Sequence, residues 1–207
     1  MATRLEGKQR REQLIEVAID LFSRKGFNGT TTREIATSAG VTEAIIFRHF
    51  ASKEDFYKAI IDRKMNSSHL VEWIEEVRSA MARNDDEGVM RRLIAAIIHT
   101  HRIDPKFERL MLYAALERNQ VALLYMCQVT EAVVTEFRTY FARRQRQGHF
   151  VKMPPDAALT AVIGMAFHYA QQTYVHEFTD NTFSDDQAIE SFARIALRGL
   201  RKDSKKK

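Results

Sequence analysis

The sequence predicts an all-α protein of about nine helices. Apolar residues recur at one-turn spacing along almost the whole chain, which is the pattern of amphipathic helices. The alternating polar and apolar runs that indicate β-strands are missing, and only three of the 207 residues are prolines. With 45% hydrophobic and 29% charged residues, the chain is long enough for a small domain and a larger one.

The first helix is predicted from a stripe of apolar residues near the N-terminus. Gly26 follows the stripe, and a glycine in that place is typical of a helix end, because it adopts the left-handed conformation without strain. The residues of the stripe are Leu14, Ile15, Ala18, Leu21 and Phe22.

Two short helices are predicted next, with Gly40 between them. Thr31 or Thr32 can cap the first of these helices, and Thr42 can cap the second. Helical spacing then separates the inward side chains from the others. Those expected inside are Ile35, Ala36, Val41, Ile46 and Phe50. Those expected on the outer face or its edges are Thr42, Glu43, Ala44, Ile45, Phe47, Arg48 and His49.

This order of short helix, glycine turn and short helix is that of a helix-turn-helix, whose second helix enters the DNA major groove. Two large apolar side chains on the outer face, Ile45 and Phe47, fit this interpretation, because DNA would cover them. Ile45 could pack on a thymine methyl group. The motif therefore predicts double-stranded DNA as a partner.

Basic residues around the motif are candidates for phosphate and base-edge contacts. Ser52 can cap a fourth helix, so Lys53 and the first amides of that helix could share one phosphate; the alternative is a solvated surface charge. A basic leader, Arg4, Lys8, Arg10 and Arg11, could follow the DNA backbone or minor groove, or simply be solvated. The predicted DNA-binding residues are Thr32, Arg33, Thr42, Glu43, Ala44, Ile45, Phe47, Arg48, His49 and Lys53.

Six further helices are predicted at about 70–82, 87–101, 105–118, 120–147, 155–178 and 185–201. Ser184 can cap the last of them. The helix before it is apolar on every side from Ala157 to Ala170, and a helix without a polar face is usually buried all round. We therefore expect these last two helices to pack against a second copy of the chain and form a homodimer.

Polar residues and methionines interrupt the apolar C-terminal helices. Small-molecule pockets are mostly apolar with a few convergent polar groups, and methionines make them adaptable. The alternative is a core in which these polar atoms satisfy one another. The predicted ligand-binding residues are Met111, Tyr113, Tyr125, Met126, His168, Tyr169 and Gln172.

The sequence gives no support for a metalloprotein, an enzyme, a membrane-spanning protein or an exported protein. The histidines and Cys127 have no metal-ligand spacing, and P-loop, GxGxxG, GxSxG and HExxH motifs are missing, so we expect no metal, cofactor or enzymatic activity. The longest uncharged apolar run, 157–167, is too short to cross a bilayer, and no export signal is evident. Together with the lone cysteine, this favours the cytoplasm. A basic tail at 202–207, expected to be disordered, holds much of the net charge of +5.

The residues from about Arg10 to Ile61 resemble the N-terminal domain of TetR-family transcriptional regulators. The segment "LIEVAIDLFSRKGFNGTTTREIATSAGV" is similar to the first helix, the Gly-Phe elbow and the Thr-rich cap of that family. The segment "FRHFASKEDFYKAI" resembles its aromatic-x-His-Phe-x-x-Lys-x-x-Leu ending. The resemblance implies a DNA-binding domain at 8–66 and a divergent helical domain at 67–201 that binds an effector and forms the dimer.

The function implied is that of a ligand-responsive regulator. We expect a repressor that leaves a pseudo-palindromic operator when a small, largely apolar effector binds, with the long segment after Ser52 as the lever between the two domains. Two alternatives remain. One is a helical enzyme or carrier with an incidental helix-turn-helix, and the other is an activator without a small-molecule effector.

The predicted recognition helix departs from the family at several positions. Ala44, Ile45 and Phe47 stand where the family commonly has glycine, threonine and tyrosine. Phe47 has no hydroxyl group to offer a phosphate, so that contact is not expected here. Glu43 stands where a basic residue is frequent, and it could accept from a cytosine amino group or discourage non-specific binding. The resemblance thus implies a DNA surface with fewer phosphate contacts than usual.

Overall fold

The computed structural model describes residues 7–65, 68–176 and 182–202. Ten α-helices account for most of these residues, and the one extended pairing among them is an isolated antiparallel bridge between Phe150 and Arg201. The all-α prediction is confirmed. The helices are α1 (Gly7–Lys25), α2 (Thr32–Ser38), α3 (Glu43–His49), α4 (Lys53–Met65), α5 (Ser68–Ala82), α6 (Asp86–Ile103), α7 (Pro105–Leu116), α8 (Gln120–Arg146), α9 (Pro155–Ala170) and α10 (Asp185–Leu200).

The helices divide into two compact units. The first unit comprises the described residues of Met1–Ser67 and Lys106–Val129, and the second comprises those of Ser68–Pro105 and Thr130–Lys207. One division falls near Ser67. However, α7 groups with the helix-turn-helix, whereas the sequence placed it in the C-terminal domain. The reason is its apolar face, since Phe107, Leu110 and Ala114 are buried in the core of the first unit.

The core of the first unit contains the apolar stripe predicted for α1. Leu14, Ile15, Ala18 and Phe22 are buried, and Leu21 is half-buried beside them. Aromatic rings fill the rest of this core. Phe22, Phe27 and Tyr57 form one cluster, with ring centroids 4.9 Å and 5.1 Å from that of Tyr57, and Phe50 stacks on Phe56 at 3.8 Å.

The turns of the first unit follow the predicted signals. Gly26 has a φ of +73° and Gly40 a φ of +66°, and each follows the end of a helix. Thr31, rather than Thr32, is the N-cap of α2, where it forms a capping box with Glu34. Thr42 occupies the N-cap position of α3, but its side chain makes no capping hydrogen bond.

The second unit is built from α5, α6, the C-terminal part of α8, α9 and α10. Its core contains a buried ion pair between Asp86 and Arg144, with both guanidinium–carboxylate contacts at 2.7 Å, and Tyr140 also donates to Asp86. A capping box of Ser184 and Gln187 opens α10. The helix predicted at 155–178 is α-helical only to Ala170 and continues as a π-helical turn, Gln171–Val175.

One face of α9 is open, although its sequence is apolar on every side. Ala161 and Gly164 are exposed, and nothing lies within 4 Å of the Cβ that Gly164 would gain. Phe167 on α9 and Ile195 on α10 are also exposed, by 39% and 56%. In the single chain, therefore, α9 is buried on one side and not all round.

Candidate DNA-binding surface

The residues of the helix-turn-helix that were predicted to face inward pack into the core of the first unit. Ile35, Ala36, Ile46 and Phe50 are all at most 3% exposed, and Val41 is half-buried against the same core. Because α3 has only seven residues, a single fully buried side chain, Ile46, anchors its middle. The remaining faces of α3 point away from this core.

The outer face of α3 carries exposed apolar and basic side chains. Thr42, Ala44, Phe47 and Arg48 are exposed, and more than half of the Phe47 surface, 55%, is accessible. Three other residues predicted for this face are less exposed and lie at its edges: Glu43, Ile45 and His49 are half-buried. Ile45 is thus less available to a partner than Phe47.

Glu43 and Thr32 hold each other in place. The Thr32 hydroxyl group, at the first residue of α2, donates a hydrogen bond to the Glu43 carboxylate at the first residue of α3. This contact joins the beginnings of the two helices and fixes the direction of the Glu43 side chain. Both residues were predicted to bind DNA, and each is now seen to orient the other.

Lys53 is engaged within the protein. Its ammonium group donates to the carbonyl oxygens of Phe27 at 2.7 Å and Thr30 at 2.9 Å, and lies 4.2 Å from the centroid of the Phe27 ring. Two of the three ammonium donors are thus engaged within the protein, at a residue for which the sequence left a phosphate contact and a solvated charge open. Lys53 instead binds the connection between α1 and α2, residues 26–31, which we call the elbow.

The start of α4 is likewise satisfied from within. The Ser52 hydroxyl group accepts from the Asp55 amide at 3.3 Å, which confirms the predicted cap. In return, the Asp55 carboxylate accepts from the amides of Ala51 at 2.9 Å and Ser52 at 3.2 Å. The carboxylate thus occupies the place near these amides that a phosphate oxygen would need.

Several cations remain at the surface around α3. Arg33 and Arg48 are exposed, and the guanidinium group of exposed Arg11 lies 4.9 Å from the Phe50 ring centroid. Lys8 is exposed, Arg10 donates to Gln13, and Arg4 lies outside the described residues.

The Lys25 ammonium group forms an ion pair with the Glu34 carboxylate, with 2.8 Å between Nζ and Oε1. The Lys25 ammonium, followed by the Thr31 amide and hydroxyl groups, lowers the pKa of Glu34 to about 2.

The elbow is also held by α7, a feature that the sequence did not predict. The Glu117 carboxylate, just after α7, accepts from the amides of Phe27 at 2.9 Å and Asn28 at 3.2 Å. Tyr113 donates to the Arg24 carbonyl at 3.0 Å, and Lys106 donates to Asp20 at 2.7 Å. Lys106 and Tyr113 of α7, together with Glu117 just after it, therefore bind the end of α1 and the elbow.

Comparison with known proteins connects this arrangement to a family. A family model described as bacterial regulatory proteins, tetR family, matches residues 14–60, which extend from α1 into α4. The regulator RutR of Escherichia coli K12, an HTH-type transcriptional regulator, is 24% identical over 200 residues, which cover 93% of this chain and 91% of RutR. The chain therefore carries the DNA-binding domain of the TetR family, at residues 14–60. It is a helix-turn-helix transcriptional regulator.

Solved TetR-family structures share the fold over nearly the whole chain. NalD of Pseudomonas aeruginosa, the secondary repressor of the MexAB-OprM multidrug efflux pump, has a TM-score of 0.69 at 19% identity, covering 96% of this chain and 100% of NalD. AibR, solved with isovaleryl coenzyme A and operator DNA, has a TM-score of 0.64 at 19% identity, covering 90% of this chain and 97% of AibR. At these identities the similarity establishes the fold.

The predicted ligand-binding residues of this TetR-family regulator do not come together within one unit. Met111 and Tyr113 belong to the first unit, where Met111 packs half-buried against the core and Tyr113 binds the end of α1. Tyr125 and Met126 lie in α8, but their side chains are outside the described residues. The other three, in the second unit, are exposed His168, buried Tyr169 and half-buried Gln172.

Tyr169 borders a groove of about 370 Å³ in the second unit. Its hydroxyl group donates to Asp185 at 3.1 Å, and Tyr174 donates to the same carboxylate at 2.7 Å. Burial, followed by this hydrogen bond, raises the pKa of Tyr169 to about 12. Arg102 completes the set with a contact of 3.1 Å to Asp185. These polar groups thus satisfy one another, as the alternative reading of the sequence allowed.

The described ranges lack two further kinds of feature. In residues 7–65, 68–176 and 182–202, no group of three or more His, Cys, Asp or Glu side chains could hold a metal ion. In the same ranges, no helix combines the length and the apolar content needed to cross a membrane.

Proposed function

We propose that the chain is a homodimeric repressor that binds a pseudo-palindromic DNA operator and is released from it by a small, largely apolar effector. The observation that carries the proposal is the division of α3 into two sides. Ile46 is fully buried, whereas Ala44, Phe47 and Arg48 are exposed. A recognition helix needs this division, because one side must be fixed to the domain while the other enters the major groove.

Contacts to DNA are assigned to the groups that the first unit leaves accessible. We place Arg33 and Arg48 on phosphates, and Thr42 beside them, since its hydroxyl group is not used as a cap. His49, at the edge of α3, is a weaker candidate. Lys53 is assigned to the elbow, because two of its three donors already bind carbonyl oxygens.

Glu43 is assigned a base-edge contact in which it accepts from a cytosine amino group. Thr32 supports this role by fixing the direction of the carboxylate.

The homodimer is assigned to the open faces of α9 and α10. Ala161, Gly164 and Phe167 follow one another along α9 at helical spacing and are exposed, and Ile195 is exposed on α10. Exposed apolar faces of neighbouring helices favour an interface between copies, and two helices from each of two chains form a four-helix bundle. Two-fold symmetry of the dimer would match the symmetry of a pseudo-palindromic operator.

The effector is assigned to the second unit, near Tyr169 and Gln172. The π-helical turn Gln171–Val175 supports this place, because such turns are frequent at functional sites. AibR has been solved with both an acyl coenzyme A and operator DNA, which supports a ligand-responsive function for this fold. The effector shifts the protein between two states only by its differential affinity for them.

The proposed function needs no enzymatic activity, and proteins similar to this chain, such as RutR and NalD, are named as regulators. It also agrees with a location in the cytoplasm.

The test begins with selection of bound fragments from random DNA by the purified full-length chain. The expected result is an enriched pseudo-palindrome whose half-sites are about 34–36 Å apart, one turn of DNA. A panel of small apolar acids, esters and acyl thioesters is then titrated against the bound operator, and at least one compound should release it.

Two other results would contradict the proposal. Failure to enrich any DNA would contradict operator binding. Release by no compound, with a reporter gene whose expression rises when the protein is present, would favour an activator without a small-molecule effector.

A further inference from the structure

Phe47 forms, with Ala44, an apolar strip on the exposed side of the recognition helix. The two residues are three apart, which places them one turn apart on the same face of α3. Phe47 is 55% exposed and Ala44 is exposed. Of the large exposed apolar side chains in the described part of the chain, Phe47 is the one that lies in the helix-turn-helix.

The charges around the strip point to DNA as its occupant. Arg48 follows Phe47 directly and Arg33 lies on the neighbouring helix, and both are exposed. Of the two carboxylates on α2 and α3, Glu34 is paired with Lys25, whereas Glu43 is held by the Thr32 hydroxyl group and keeps acceptor capacity for a base edge. An apolar strip flanked by uncommitted cations complements a polyanion that also presents an apolar group.

The major groove of DNA presents a single apolar group, the C5-methyl group of thymine. A phenyl ring cannot donate to or accept from base edges, so placing it over a G·C pair would leave donors and acceptors without water and without partners. Over a thymine, the same ring covers the methyl group and removes apolar surface from water. The chemistry of Phe47 therefore discriminates between base pairs without a hydrogen bond.

We infer that Phe47, with Ala44 beside it, reads a thymine methyl group in each half-site of the operator and is a specificity-determining residue. The inference rests on the proposed function, because it requires α3 to lie in the major groove. It gives to Phe47 the thymine contact that the sequence alone suggested for Ile45, because Ile45 is half-buried whereas Phe47 is exposed.

The experiment removes the methyl group from the DNA and then the ring from the protein. In the operator found by selection, each thymine is replaced in turn by deoxyuridine, symmetrically in both half-sites, and the Kd is measured at one salt concentration. One such position should weaken binding by the wild type about fourfold per half-site, the loss expected for uncovering one methyl-sized group.

Three variants distinguish the ring from its surroundings. Phe47→Ala should bind thymine and deoxyuridine operators equally, because it has lost the group that senses the methyl. Phe47→Tyr should keep the difference, because it keeps the ring. Ile45→Ala, the matched control on the same helix, should also keep it. Phe47→Ala and Phe47→Tyr should retain the circular dichroism spectrum and Tm of the wild type, since the Phe47 ring is largely exposed.

The inference fails separately from the proposed function. If the wild type selects an operator but no deoxyuridine position changes its Kd, or if Phe47→Ala remains as sensitive as the wild type, Phe47 does not read thymine. Loss of the difference in Ile45→Ala but not in Phe47→Ala would return the contact to Ile45. Failure of the wild type to select any DNA would instead overturn the proposed function itself.

Discussion

Gly26 lies beside Tyr113 of α7 and Glu117 just after that helix. An added Cβ would lie 2.3 Å from Glu117 Oε1 and 2.9 Å from Tyr113 Cδ1, and the φ of +73° is one that side chains disfavour. Gly40 provides a matched control, because its φ is +66° and nothing lies within 4 Å of its added Cβ. An alanine would therefore suffer similar backbone strain at the two positions, but it would clash with neighbouring atoms only at Gly26.

The expected losses of stability follow from these geometries. The left-handed conformation costs alanine about 1–2 kcal/mol, and the stiffer unfolded chain offsets about 0.4–1 kcal/mol of that cost. Gly40→Ala should therefore lower the free energy of unfolding by about 1 kcal/mol. Gly26→Ala should lower it by about 2–4 kcal/mol, because the Glu117 carboxylate must also leave the amides of Phe27 and Asn28, and hydrogen bonds to charged groups contribute about 1.5–3 kcal/mol.

Urea unfolding followed by circular dichroism measures these losses, and a double-mutant cycle assigns them. In a Glu117→Ala background, the added methyl group meets no carboxylate, so Gly26→Ala should cost about 1–2 kcal/mol less than it does in the wild type. Equal losses for Gly26→Ala and Gly40→Ala, or strictly additive effects of Gly26→Ala and Glu117→Ala, would show that α7 does not restrain the elbow.

Four shorter predictions concern DNA binding, assembly, sensing and pH. Arg48→Ala should weaken operator binding and make the log–log dependence of the binding constant on salt less steep, with Tm unchanged. Lys53→Met should instead lower the free energy of unfolding by about 1–3 kcal/mol, because two carbonyl oxygens lose their donor. The reverse pattern would contradict both assignments. Gly164→Glu should turn the dimer into a monomer in sedimentation, and a wild type that is itself monomeric at micromolar concentration would end this idea. Gln172→Trp should keep operator affinity while losing effector release in a titration of the bound complex; release as in the wild type would place the pocket elsewhere. The pKa of Glu34 is lowered to about 2 from 4.5, so its contribution to stability is present above pH 4.5 and is lost as the pH falls towards 2. Acid titrations should therefore show a smaller loss in this range for Glu34→Gln than for the wild type.

The features predicted well from the sequence are those whose signals lie within a few residues. The caps at Thr31 and Ser52 and the glycine after α1 each depend on residues at most four positions away, and the structure confirms them. The inward residues of the helix-turn-helix follow from the 3.6-residue period in the same way. Most of the predicted helix ends also lie within two residues of the observed ones.

The features that could not be predicted depend on distant partners. Glu117 lies 90 residues from the Phe27 amide that it accepts from, and periodicity carries no information at that range. Lys53 shows a second limit, because an ammonium group binds a carbonyl oxygen or a phosphate oxygen with the same donors. Its sequence position next to a helix start suggested a phosphate, and only the fold shows the carbonyls of Phe27 and Thr30 within reach.

The hydrogen bonds that Tyr113 and Glu117 make to the end of α1 and the elbow are relevant to how effector binding could affect the recognition helix. The chain passes between the two units near 67, 105 and 129, and two of these crossings bound the segment that contains α7. Only Asp104 separates the end of α6 in the second unit from the start of α7 in the first. The helix that follows α6 in the chain, α7, thus lies in the first unit, and it contacts the end of α1 through Tyr113, while Glu117 just after it contacts the elbow. The elbow leads directly into α2, whose Thr32 holds Glu43 at the start of α3. We therefore propose a second route beside the lever expected in the segment after Ser52. Glu117→Ala removes the hydrogen bonds to the elbow without touching α3, so it should weaken effector release of the operator if this route carries the signal and leave release unchanged if it does not.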